Sequence, residues 1–143
     1  MATAALLVIG NEILSGKVRD TNSPFLAVEL RKLGVDLERI VTIPDVIETI
    51  ARETRALSEA FDYVFTSGGI GPTHDDLTMD GIALAFEREI VLNQAMIDRM
   101  QRYSEKPVND AMRKMAMIPD GAEVLDVGGR ATDGAAVRMV TLD

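Results

Sequence analysis

A glycine-rich segment between a predicted strand and a predicted helix most constrains how this chain can fold. The apolar run Tyr63 to Phe65 is typical of a buried strand, and apolar periodicity resumes beyond Thr78, where Asp76 or Thr78 can cap a helix. Three glycines in Gly68 to Gly71 let the backbone approach a ligand closely and turn its amides inward. The helix start adds free N–H groups and the positive end of the helix dipole. This order of elements predicts a phosphate-binding site.

Two carboxylates in the same segment refine that prediction. Asp75 and Asp76 would repel a phosphate unless a divalent cation lay between them, so we expect a metal-assisted nucleotide or phosphate-ester site. No lysine follows the glycines, as a P-loop NTPase requires. The segment from Pro72 to His74 stands where a dinucleotide fingerprint has its third small residue. We therefore expect neither of these two common nucleotide sites.

Composition indicates one ordinary globular domain. The chain has 143 residues, 47% of them hydrophobic, which is enough for one core and too little for two comfortable ones. It has no cysteine, signal peptide or apolar run of transmembrane length, so we expect a cytoplasmic protein without membrane partners. A net charge of −8 argues against a broad nucleic-acid-binding face. A small anionic ligand would need backbone amides or a metal to bind.

Strands and helices alternate along the chain. Apolar runs predict strands at residues 4–9, 35–43, 62–66, 124–127 and 137–142. Helical periodicity ends near residues 33, 60 and 86, and two further helices, predicted at 93–100 and 107–117, would pack as a hairpin against the sheet. We expect a turn at 118–121 and a flexible loop at 128–134. This order predicts an α/β, three-layer sandwich with a mainly parallel sheet and right-handed crossovers.

Parallel sheets bind ligands beyond the carboxyl ends of their strands. Gly10-Asn11-Glu12, Pro44-Asp45 and the glycine segment all follow predicted strands, so we expect them to meet at one edge. The chain stops directly after a predicted strand with no closing helix. We therefore expect a single domain over residues 1–143 that is truncated at its C-terminal end.

Residues 68–78, Gly-Gly-Ile-Gly-Pro-Thr-His-Asp-Asp-Leu-Thr, closely resemble the signature of the molybdopterin-binding domain. Molybdenum-cofactor biosynthesis proteins share this domain with the competence/damage-inducible protein A (CinA) family. The second group is the better match, because the chain is similar to it also at residues 10–16, 20–22 and 119–122. The resemblance implies an α/β sandwich with a pocket for a pterin or nucleotide phosphate. It also implies a homo-oligomer, because related domains form dimers or trimers.

The resemblance implies two related chemistries. In the molybdenum branch the domain adenylates molybdopterin with a nucleotide and magnesium, and two aspartates that matter there match Asp45 and Asp76. In the competence branch it resembles a metal-dependent pyrophosphatase acting on ADP-ribose or related dinucleotides, which is our preferred reaction. The chain departs from the family at residues 129–134 and lacks a Pro-Gly-Val-Pro-like segment after the last strand. Those departures favour a third alternative, a non-catalytic ligand-binding module.

We accordingly predict Asp45 and Asp76 as catalytic residues, and Asp76 with Asp75 as ligands of a divalent cation such as Mg²⁺. The predicted ligand-binding residues are Gly10, Asn11, Glu12, Asp20, Asn22, Ser67, Gly68, Gly69, Gly71, Pro72, Thr73 and Asp80.

Several of these residues have simpler explanations. Asp45 and Glu48 have the spacing of a capping box, and Asp20 or Asn22 can cap the first long helix. Asp80 in the first turn of a helix is also what the dipole favours. Lys17 and Arg19 could meet a phosphate or be solvated, and His74, the only histidine, receives no catalytic role.

Overall fold

The computed structural model describes residues 1–126 and 135–138 of the chain, and it confirms the α/β fold with a parallel sheet. The strands are β1 (Thr3–Ile9), β2 (Asp36–Ile43), β3 (Tyr63–Ser67), β4 (Ile90–Leu92), β5 (Met117–Pro119), β6 (Glu123–Asp126) and β7 (Ala135–Arg138). The helices are α1 (Asn11–Leu14), α2 (Asn22–Lys32), α3 (Ile47–Ala60), α4 (Thr78–Ala85), α5 (Gln94–Arg102) and α6 (Asp110–Met115).

The main sheet has the order β2-β1-β3, and all three strands are parallel. Two short antiparallel pairs, β4-β5 and β6-β7, lie outside it. The predicted strands at 124–127 and 137–142 overlap β6 and β7, but β4, β5 and both antiparallel pairings were not predicted. None of the helices in the described part of the chain is long and apolar enough to cross a membrane.

Strand β1 is the centre of the molecule because its apolar run is buried on both faces. One face packs Ala5, Leu7 and Ile9 against Ile50 and Leu57 of α3. Side chains alternate across a strand, so the residues between them face the opposite side, where Leu6 lines a hollow together with Phe25 and Leu26 of α2. Helices therefore cover both faces of the sheet, as the three-layer prediction requires.

Helix α2 leaves much of its apolar surface exposed. Phe25 and Leu33 are 68% and 77% exposed, whereas Leu30 is buried together with Ser23. Ser23 and Leu30 are seven residues apart, or about two helical turns, so they lie on one line of the helix surface. Phe25 lies far around the helix from that line. The buried line of α2 therefore includes a serine, which a pattern of hydrophobic residues alone does not predict to be buried.

The second half of the chain differs more from the prediction. Residues 117–119 form β5 against β4 instead of a turn, and only Asp120 and Gly121 turn the chain. Helix α6 covers 110–115 and packs with α5 into a separate cluster around Ile97, Met112 and Ala116. The predicted loop at 128–134, Val127 and residues 139–142 of the last predicted strand lie outside the described residues.

Candidate functional site

The carboxyl ends of β1 and β2, together with the glycine segment, border a groove of about 380 Å³. Its wall carries three carboxylates, one ammonium group, one carboxamide and one hydroxyl, from Glu12, Asp45, Asp75, Lys17, Asn11 and Ser15. The groove lies at the sheet edge that the sequence predicted.

Asp45 is fixed at this edge by a reciprocal pair of hydrogen bonds with Asn11. The Asn11 amide donates to the Asp45 carboxylate at 3.0 Å, and the Asp45 amide donates to the Asn11 side-chain oxygen at 3.2 Å. The capping-box explanation for Asp45 is wrong, because Val46 is the residue that precedes α3 and it makes no side-chain cap bond. The side chain of Asp45 therefore joins the ends of β1 and β2.

The segment after β1 is a short helix, α1, where the sequence suggested a loop. The Gly10 amide donates to the Ile43 carbonyl at 3.0 Å, which ties the end of β1 to the end of β2. A side chain at Gly10 would overlap the carboxylate of Glu12, so that carboxylate lies over the glycine. The Ser15 hydroxyl donates to the Glu12 carbonyl at 3.3 Å and closes the turn.

The glycine segment packs tightly against the end of β1. Gly68 has a φ of 95°, and a Cβ there would lie 2.1 Å from the carbonyl oxygen of Ile9. The Thr78 hydroxyl donates to the Gly68 carbonyl at 2.7 Å, and its amide donates to the Gly69 carbonyl at 3.1 Å. Leu77 is the residue before α4 and no side chain caps the helix, so the predicted capping by Asp76 or Thr78 is wrong. Thr78 instead holds the start of α4 against the loop.

Asp76 turns its carboxylate into the loop. The amide and hydroxyl of Thr73 donate to it at 2.9 and 2.8 Å. Burial alone would raise the pKa of Asp76, but bonds from Thr73 and the Gly71 backbone, with the charge of Lys114, outweigh it and hold that pKa below its ordinary value. An amide of the loop predicted to bind phosphate, that of Thr73, thus already binds a carboxylate of the same loop.

Asp75, next to Asp76, lines the groove. Its carboxylate lies 3.3 Å from Nε2 of His74, and both side chains are exposed to solvent. Asp80 lies in the first turn of α4, and Pro72 is exposed. Thus one of the two loop aspartates faces the groove and the other holds the loop.

The described residues contain no group of three Asp, Glu, His or Cys side chains placed to hold a metal ion. The donors that face the groove are nevertheless the hard oxygen ligands that Mg²⁺ prefers. Mg²⁺ is commonly held by one or two carboxylates together with the phosphates of a substrate. The groove therefore fits a cation that arrives with a phosphorylated ligand better than a permanently caged metal.

Asn22 and Ser67 lie in a second hollow of about 250 Å³, whose lining shares no residue with the groove. The Asn22 side chain donates to the Ser67 hydroxyl at 2.9 Å. Asp20 accepts bonds from the hydroxyl and amide of Ser23, which lower the pKa of Asp20. Thr21 is the residue that precedes α2 and no side chain caps this helix, so the predicted capping by Asp20 or Asn22 is wrong.

Sequence reasoning missed two residues. Ser15 lines the groove and lies inside the 10–16 segment singled out above, so its neighbours could have indicated it. Lys114 donates from α6 to the Asp76 carbonyl at 2.7 Å across a separation of 38 residues, and nothing in the local sequence marks it.

The chain matches the family described as "Probable molybdopterin binding domain" over residues 5–130. Its fold is similar to the crystal structure of the protein CinA from Thermoplasma acidophilum, with a TM-score of 0.79 and 29% identity, covering 88% of this chain and 77% of that one. It also resembles the molybdopterin biosynthesis enzyme MoaB of Thermus thermophilus, with a TM-score of 0.59 and 19% identity, covering 83% of this chain and 79% of that one.

Among curated proteins, the chain is 46% identical over 121 residues to a Caenorhabditis elegans protein named "Probable FAD synthase", covering 85% of this chain and 23% of that protein. The chain spans between about a quarter and about half of the length of this and comparable curated relatives. The family match and the CinA structure confirm the resemblance found in the glycine segment. The chain therefore belongs to the molybdopterin-binding domain family and is a CinA-like member of it.

Proposed function

We propose that the groove binds the diphosphate of a nucleotide with a divalent cation, and that the domain hydrolyses the phosphoanhydride of ADP-ribose-like dinucleotides. One observation carries this proposal. Three carboxylates and the Lys17 ammonium face a single groove at the carboxyl ends of two parallel strands. A purely anionic groove would repel a diphosphate, whereas carboxylates beside a lysine suit a diphosphate that brings a cation.

Asp45 and Asp75 are the residues that would hold the cation together with the phosphate oxygens, since Mg²⁺ commonly takes one or two carboxylates. When bound, the cation supplies Lewis-acid stabilisation of the negative charge on the phosphates. The Asn11 amide already bonds the Asp45 carboxylate, so that side chain is oriented before any ligand arrives.

The other groove residues have separate roles in the proposed hydrolysis. A water oxygen attacks one phosphorus while the bridging P–O bond breaks, and the electron pair of that bond leaves with the other phosphate. In this proposal Glu12, which lines the groove, accepts the proton of the water, and Lys17 pairs with a phosphate oxygen. Asp76 acts through its neighbour, because it holds the loop that presents Asp75.

Adenylyl transfer is a second candidate function, in which a phosphoanhydride is formed on molybdopterin instead of being hydrolysed. The family description and the name of the C. elegans relative favour it. FAD contains the same diphosphate linkage as ADP-ribose, so one groove serves either direction. The two candidate reactions differ in the acceptor, which is water in hydrolysis and an organic phosphate in adenylyl transfer.

The test is a Mg²⁺-dependent assay of the purified chain on ADP-ribose, on FAD, and on ATP with molybdopterin. We expect hydrolysis of ADP-ribose that falls about 10²-fold or more in Glu12→Gln, and similarly in Asp45→Asn. The matched control is Glu38→Gln, which removes an exposed carboxylate near the opposite end of β2 and should leave the rate unchanged.

Each alternative result assigns a different function. Release of pyrophosphate only with ATP and molybdopterin would replace hydrolysis by adenylyl transfer. Ligand binding without turnover, equal in wild type and Asp45→Asn, would favour the non-catalytic module. Equal turnover in wild type and Glu12→Gln would show that the groove is not the reaction site.

A further inference from the structure

Lys114 connects a distant helix to the glycine segment. It lies in the last turn of α6, and its Nζ donates to the Asp76 carbonyl oxygen at 2.7 Å in a partly buried position. A hydrogen bond from an ammonium group is stronger than one between neutral groups, and partial burial protects it from competing water. Lys114 is therefore held by a specific bond, unlike a solvated surface lysine.

The helix that carries Lys114 is anchored independently of the loop. The Asn109 side chain accepts the Met112 amide at 2.9 Å and fixes the start of α6. Met112 is buried against Ile97 and Ala116 in the cluster shared with α5. Lys114 thus projects from a packed helix, and its hydrogen bond fixes the loop relative to that helix.

Asp76 connects the Lys114 bond to the rest of the loop. Its carbonyl accepts the Lys114 bond while its carboxylate binds the amide and hydroxyl of Thr73. A Cβ at Gly71 would lie 2.8 Å from the same carboxylate, so the loop backbone folds closely around it. Asp75, which lines the groove, is the adjacent residue. Moving Asp76 would therefore move Asp75.

We infer that Lys114 is a positioning residue that fixes the Asp76 end of the glycine segment and so orients Asp75 into the groove. Lys114 is not among the residues that line the groove, and its hydrogen bond reaches the loop at the Asp76 carbonyl. The consequence for turnover rests on the proposed function, but the consequence for loop geometry does not. The inference can therefore be tested whether or not the domain hydrolyses a dinucleotide.

The experiment compares Lys114→Met, which keeps the chain length and removes the charge, with Lys114→Arg, which keeps the charge. The control is Arg113→Met on the same helical turn, because the Arg113 guanidinium bonds Asp110 at 3.0 Å and not the loop. The readouts are the amide hydrogen exchange of Thr73 and the carboxyl titration of Asp76, both followed by NMR.

We expect the Thr73 amide of Lys114→Met to exchange about tenfold faster and the pKa of Asp76 to rise toward its ordinary value. Lys114→Arg should stay within about twofold of wild type, since a charged donor remains. If Lys114→Met matches Arg113→Met in both readouts, the inference is wrong. Should Lys114→Met fail to fold, the milder Lys114→Gln takes its place in the same comparison.

Turnover separates this inference from the proposed function. If wild type hydrolyses ADP-ribose, Lys114→Met should raise the KM more than it lowers kcat, because a misplaced Asp75 weakens binding of the cation with the substrate. If wild type shows no turnover, the proposed function fails, while the exchange and titration results still decide the role of Lys114.

Discussion

The groove and the glycine segment each hold a carboxylate by backbone amides, but they place it differently. Asp45 accepts the Asn11 amide and still lines the groove. Asp76 accepts the Thr73 amide and hydroxyl inside its own loop, and its neighbour Asp75 lines the groove in its place. A carboxylate in a ligand-binding motif can thus stabilise the fold of the motif itself, so a match in sequence does not by itself identify the group that contacts the ligand.

The largest expected effect tests how tightly the glycine segment is packed. Gly68→Ala places a Cβ against the Ile9 carbonyl in a left-handed backbone conformation, so we expect the free energy of unfolding to fall by roughly 3–5 kcal/mol. Gly34→Ala is the control, because its φ is also positive and its surroundings are open, and it should lose only about 1–2 kcal/mol. Chemical denaturation measures both. Equal losses would mean that the contact between the loop and β1 contributes nothing.

The next effect separates the two adjacent aspartates. Asp76→Asn weakens the bonds from Thr73, so we expect the free energy of unfolding to fall by about 1–2 kcal/mol. Asp75→Asn should change it by less than about 0.5 kcal/mol, because that side chain is 76% exposed and pairs only weakly with His74. In the Mg²⁺-dependent assay we expect Asp75→Asn to lower turnover. If Asp75→Asn lost as much stability as Asp76→Asn, the two adjacent aspartates would not differ in their role in the fold of the loop.

Particular residues show how far sequence reasoning reaches. The apolar run of β1 and the alternation of strands and helices predicted a parallel sheet, and the topology then predicted which edge carries the site. The sequence could not show which of two adjacent aspartates faces the groove, because that depends on the loop backbone and on the bonds of Thr73. It also could not reveal Lys114, whose contact depends on the packing of α6 and not on a local pattern.

A smaller effect concerns pH. The folded-state pKa of Asp76 is below its ordinary value of 3.8, so the ionised carboxylate stabilises the loop fully above that value, and the contribution is lost as pH falls through the folded-state pKa. The difference in unfolding free energy between wild type and Asp76→Asn should thus be constant from about pH 7 to about pH 5 and shrink below about pH 4. A difference that grew on acidification would contradict the bonding of Asp76 seen here.

The smallest expected effect concerns His74, the only histidine of the chain. Its side chain is 92% exposed and its contact with Asp75 is a surface pair, so His74→Gln should change the free energy of unfolding by less than about 0.5 kcal/mol. Because the proposed proton acceptor is Glu12, the pH dependence of turnover should also keep its shape in this variant. A changed shape of that pH dependence in His74→Gln would assign the role of base to the glycine segment instead of the groove, and the contrast between the two regions would then reverse.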